Sequence, residues 1–109
     1  MTASLWVVHC VDAPGAAARR QELRPHHSRR LREGGPVRPL LYGPLTVDGT
    51  GEAVGSVFVV EAPAREAVER YFATDPFRMG GVWERVRVDC FSPSERSPLG
   101  SAVTALQNS

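Results

Sequence analysis

The chain has 109 residues, 42% of them hydrophobic, and a formal net charge of +1. That length suits one domain with one modest core, and the near-neutral charge argues against nucleic acid or an anionic membrane as a partner. The two cysteines, Cys10 and Cys90, have no CxxC or Cys/His ligand spacing and read as buried free thiols. All 13 basic residues are arginine. GC-rich coding accounts for this, and anion recognition by guanidinium forks is the functional alternative. The opening MTASLWVVHCVDAP has no basic start and too short an apolar run for a secretory signal. No stretch approaches the roughly 18 apolar residues of a membrane span. A cytoplasmic protein is expected, with neither nucleic acid nor membrane as a partner.

In chain order, residues 4–11 (SLWVVHCV) are rich in β-branched and aromatic side chains and read as a strand. Leu5, Val7, His9 and Val11 fall on one face, Trp6, Val8 and Cys10 on the other. Both faces are largely apolar, so both are expected to be covered. The DAPG turn ends the strand. Residues 16–23 are helical by propensity. Pro25 fits a first helical turn better than a helix interior. A bent helix, or two short ones, is therefore expected, with the second starting near Pro25, holding His26 and His27 in its first turn, and stopping at EGGP.

Residues 38–47 read as a strand whose two prolines favour an edge or an irregular course. Asp48-Gly49 marks a hairpin turn, and residues 54–61 are the clearest strand. Ser56, Phe58 and Val60 share one of its faces, Val57 and Val59 the other. Residues 62–75 form an amphipathic helix with Ala64, Val68, Tyr71 and Phe72 on one side, ended by Pro76. Residues 82–91 are a last strand.

The order strand–helix–strand–strand–helix–strand is the ferredoxin-like, split βαβ pattern of the α+β class. Two helical segments would cover one face of a four-stranded antiparallel sheet. The apolar second face predicts a homodimer, with the partner's sheet as its cover. The domain spans residues 1–91. The polar, proline-containing tail 92–109 is expected to be mobile or draped on the surface.

The stretch RPHHSRRL poses the chemical question. Adjacent histidines on a helix diverge by about 100°, and there is no HExxH or i,i+4 histidine pair, so no metal site is expected. A histidine suits proton transfer near neutral pH. At a helix start the dipole would disfavour the imidazolium and leave the ring able to accept a proton. Asp75, in ATDPF, is a candidate to orient such a base. Their pairing does not follow from spacing. A solvated helix-start histidine and a turn aspartate beside proline stand as the plain alternatives. Ser56 lacks a GxSxG elbow, and neither MGG nor REGG has the context of a phosphate loop.

Taken together, VDAPGAAARRQELRPHHSRRL resembles the opening of YCII-related (YciI-like) proteins, through Asp12, Pro14, Gly15, Arg20, Arg24, Pro25, His27 and Leu31. YGPL, VGSVFVVE with the following AR, and ATDPF with GGV are similar to the later blocks of that family, so the resemblance runs from about residue 4 to 91. It implies a dimeric α+β barrel and an active site pairing His27 with Asp75, not His26. It places Arg24 near the pocket as a holder of an anionic or enolate oxygen, with Ser56 and Tyr42 as further substrate-binding candidates. The chain departs from the family pattern at Ser28, usually apolar, at Pro39, and in a shorter helix after His27. Related chemistries include dechlorination of a hydroxyhydroquinone, lactone isomerisation, cyclisation and metal-free oxidation of aromatic polyketides. The resemblance thus implies a cofactor-free acid–base lyase, isomerase or cyclase acting on a small cyclic or aromatic oxygenated metabolite. A role in secondary metabolism would suit such an enzyme. A non-catalytic small-ligand binding or accessory module of the same fold is the alternative.

Overall fold

The computed structural model describes residues 3–107. The elements run β1 (Ser4–Asp12), α1 (Ala17–Arg32), β2 (Arg38–Thr46), β3 (Ala53–Ala62), α2 (Arg65–Ala73), α3 (Pro76–Met79), β4 (Trp83–Phe91) and α4 (Gly100–Gln107). The four strands form one antiparallel sheet in the order β2-β3-β1-β4, the ferredoxin-like arrangement.

Strand alternation decides what each face does. On the inner face Trp6 pairs with Val60 and Cys90, Val8 with Phe58 and Val88, and Cys10 with Ser56 and Val86. Trp6, Val8, Cys10, Phe58 and Val60 are buried in one cluster with Val68 and Phe72 of α2, Phe77 of α3 and Trp83 of β4. The sheet therefore carries its helices on this face. Gly55 lets two strands approach: a Cβ there would collide with the Cys10 carbonyl. Cys10 is buried as expected, but Cys90, near the end of β4, is exposed.

Two local expectations are corrected. Helix α1 is a single element from Ala17 to Arg32 with Pro25 inside it. Pro25 removes the N–H that would reach the Gln21 carbonyl. One missing bond does not end a helix whose Leu31 and His27 are held in the core. Pro76 ends α2 less directly than expected. The chain turns at Thr74 and Asp75, and Pro76 then opens the short helix α3.

The outer face presents the rows Leu41–Val59–Val7–Asp89 and Gly43–Val57–His9–Arg87. Val7, Val57 and Val59 are half-buried, while Leu41 and Phe91 are exposed. The tail holds an element absent from the sequence reading, α4, which returns to this face: the Arg38 guanidinium donates to the Leu106 carbonyl. Leu5 lies in the same row as Arg38 and is 3% exposed although it stands outside the inner cluster. The tail thus lies at the Leu5 end of the outer face. Among the described residues no helix is long and apolar enough to cross a membrane.

Candidate active site

The site is built on one stripe of α1. At 3.6 residues per turn, positions 20, 24, 27 and 31 fall on one side. Arg20, Arg24, His27 and Leu31 line a cavity of about 500 Å³ whose opposite walls include Tyr42 of β2 and Ser56 and Phe58 of β3. His26, one residue from His27, is exposed and turned away from it.

Asp75 is fully buried and reaches the His27 ring from below. Both its carboxylate oxygens lie 2.9 Å from His27 Nδ1. Its position has a local cause. Asp75 is the N-cap of α3, its Oδ1 accepts the Phe77 N–H at 2.9 Å, and Pro76 stands in the first helical turn. The ATDPF sequence that looks like a plain turn thus aims the carboxylate. Arg30 adds a positive partner 3.5 Å from Oδ2, and its other contacts, to the Tyr71 carbonyl and the Thr74 hydroxyl, tie α1 to the end of α2.

With Asp75 as acceptor, the neutral His27 ring carries its proton on Nδ1 and presents Nε2 as the bare nitrogen. The ring is 7% exposed, stacks on Phe77 at 4.1 Å between centroids, and meets Trp83 and Phe58 edge-on. The aromatic walls fix its plane. His27 sits in the middle of α1, so the expected helix-start effect on the ring is absent. The carboxylate and the ring stack orient it instead.

The other expected site residues separate by environment. Ser56 is buried, and its hydroxyl accepts from Arg20 Nη2 at 2.8 Å. Tyr42 lines the cavity rim half-exposed, its ring stacked 6.1 Å from Phe58. Arg24 lines the cavity and makes no side-chain hydrogen bond or ion pair among the described residues. Sequence reasoning missed Arg20 as a site residue. Its Nε and Nη2 fork onto Asp12 at 2.9 and 3.1 Å, Nη2 also reaches the Gly55 carbonyl at 2.8 Å, and its guanidinium lies 4.8 Å from the Phe77 centroid. No group of three or more His, Cys, Asp and Glu residues suited to a metal ion occurs among the described residues.

The arrangement joins a tautomer-fixed imidazole to a cavity with guanidinium groups on the same wall. The model of the YCII-related domain matches residues 4–92. The chain belongs to the YCII-related family. No curated protein sequence matches this YCII-related chain.

Among solved structures, this YCII-related protein is similar to 5-chloro-2-hydroxyhydroquinone dehydrochlorinase from Burkholderia phenoliruptrix AC1100, solved with 2,5-dihydroxybenzoquinone. The TM-score is 0.75 at 22% identity, over 85% of this chain and 98% of that one. The C-terminal domain of the MgtC protein from Mycobacterium tuberculosis is similar at a TM-score of 0.55 and 10% identity, covering 88% of this chain and 96% of that one. Ribosomal protein S6 from Thermotoga maritima follows at 0.51 and 11%, covering 96% and 98%. At these identities the likeness is one of fold, and the fold hosts unrelated roles.

Proposed function

We propose that this YCII-related protein is a cofactor-independent acid–base enzyme of lyase, isomerase or cyclase type, acting on a small cyclic or aromatic oxygenated metabolite. The observation that carries the reading is the His27–Asp75 contact at the wall of the cavity. Nε2 of His27 takes a proton from a hydroxyl or from a carbon beside a carbonyl. The electron pair left behind is held as an oxyanion or enolate, or expels a leaving group from the neighbouring carbon. Asp75 holds the imidazolium that forms, and Arg24 steadies the developing negative oxygen. Tyr42 and Ser56 supply hydroxyls to the ring substituents. The fold shared with a dehydrochlorinase supports a lyase-type reaction.

The test compares wild type with His27→Ala against phenols, lactones and enolisable ketones, following binding and product together. Turnover by wild type, with binding but no turnover by the variant, is the expected result. Equal binding with no product from either protein would make the cavity a binding site and the chain a non-catalytic module.

We also propose a homodimer through the outer sheet face. The support is the run of half-buried valines, Val7, Val57 and Val59, with exposed Leu41 beside them and no helix of the α1–α3 layer over them. An apolar sheet face of this kind is stabilised by a second layer.

A further inference from the structure

The cavity wall has one sign of charge. Its ionisable lining residues are Arg20, Arg24, His27 and Tyr42, and no aspartate or glutamate lines it. The nearby carboxylates stand behind the wall and are engaged, Asp12 by Arg20 and Asp75 by His27. In a chain whose net charge is only +1, this is a local concentration of positive charge at a concave site.

Arg20 is also built in a particular way. Asp12 takes Nε and Nη2, and the Gly55 carbonyl and Ser56 hydroxyl take the rest of Nη2. Nη1 has no hydrogen-bond partner among the described residues, although the side chain is only 14% exposed. Ser56 accepts from Arg20, so its own hydroxyl hydrogen is left over, and no acceptor for it occurs among the described residues. Ser56 is 3% exposed and lines the same cavity. Two donors, Arg20 Nη1–H and Ser56 Oγ–H, are thus held side by side on rigid elements, which matches the two oxygens of one carboxylate. Phe77 contacts both the Arg20 guanidinium and the His27 ring. The Arg20 guanidinium lies 4.8 Å and the His27 ring 4.1 Å from the Phe77 centroid, and this shared ring sets the span between them. A ligand bridging them carries its anionic group about one six-membered ring away from the atom facing His27.

We infer that the site takes a small ring bearing a carboxylate, with Arg20 and Ser56 as the residues that read the carboxylate. This rests on the reading of the cavity as the ligand site and makes the substrate class an anionic one. Arg24, exposed and unpaired among the described residues, adds attraction at the mouth.

The experiment titrates 4-hydroxybenzoate and its neutral isostere 4-hydroxybenzamide into the protein at low salt, by calorimetry and by the NMR signals of the His27 ring. The expected result is binding of the carboxylate at least tenfold tighter than the amide, weakening as salt is added. Ser56→Ala should weaken carboxylate binding more than amide binding and so reduce that preference about five- to tenfold. Arg20→Gln alone strands Asp12 beneath the surface and risks unfolding. The paired Asp12→Asn, Arg20→Gln variant removes the charge together with its buried partner and should abolish the preference. Equal binding of acid and amide with both shifting His27, or an unchanged preference in Ser56→Ala and the paired variant, overturns the anion inference and leaves the cavity as the ligand site. If neither compound moves the His27 signals, both the inference and the site reading fall.

Discussion

Asp75 performs two tasks with one carboxylate: it caps α3 through the Phe77 N–H and meets His27 Nδ1 with both oxygens at 2.9 Å. The tasks separate by substitution. Asparagine caps a helix about as well as aspartate, so Asp75→Asn should keep the fold within about 1 kcal/mol. It places an amide where a carboxylate fixed the tautomer and would stabilise an imidazolium. Turnover should fall about 10²- to 10⁴-fold, with substrate binding little changed. Asp75→Ala should lose the cap as well, at a further cost of about 1 kcal/mol. Denaturant midpoints and kcat measured on both variants check this. Equal kcat in Asp75→Asn and wild type would remove the orienting role.

The hydroxyl of Tyr71 is buried and has no hydrogen-bond partner among the described residues. Burial raises its pKa, ahead of an opposing effect from Arg30, whose guanidinium lies 4.1 Å from the ring centroid. A buried hydroxyl without a partner costs about 1–3 kcal/mol in desolvation. Tyr71→Phe keeps the ring against Phe72 and Arg30 and deletes the orphaned oxygen. Stability should therefore rise by about 1 kcal/mol, read as a higher denaturant midpoint at unchanged slope.

Alkaline pH should expose the state of Cys10. Burial, with Asp75 and Asp12 adding repulsion, raises its pKa far above the ordinary value of 9.0. Below pH 9.0 both folded and unfolded chains keep the thiol proton, and this contribution is complete. Above it the unfolded chain releases the proton and the folded chain does not, so stability falls by about 1.4 kcal/mol per pH unit from this group. Cys10→Ala should remove that part of the alkaline slope while lowering stability at neutral pH. In the native state a thiol reagent should label the exposed Cys90 and spare Cys10. Rapid labelling of both in folded protein would contradict the burial.

How much of this is legible in sequence depends on the range of the interactions. Strand alternation over 54–61 separates Ser56, Phe58 and Val60 from Val57 and Val59, because a period of two is local and one face is covered. The four-strand order follows from the element pattern. The Arg20–Arg24–His27–Leu31 stripe has an equally local period, yet reading α1 as bent or broken at Pro25 hides it. Two short helices do not share a face, and Arg20 then falls outside the site. Helix α3 is hidden for a related reason, since proline marks the end of one helix and the start of the next with equal force. The His27–Asp75 contact spans 48 positions, and only the packing of α1 against α3 brings the two together. No periodicity reports such a contact. Only the family resemblance implies the pairing, and it includes Arg20 without giving it a role.

The outer face supplies the remaining prediction. Val59 lies between Val7 and Leu41 in register, at the middle of the apolar rows. A valine buried there on association contributes about 1.5 kcal/mol. A glutamate in its place would bring two like charges together across a symmetric interface, because both copies carry the substitution. Wild type should sediment as a dimer at micromolar concentration and Val59→Glu as a monomer, with the inner core and the His27 ring signals intact. Glu61→Ala serves as the control. Glu61 pairs with Arg38 at 3.4 Å in the row next to the valines, toward the tail end of the sheet, and its loss should leave the dimer in place. A wild-type monomer under these conditions, or a Val59→Glu dimer, would sink the proposed interface.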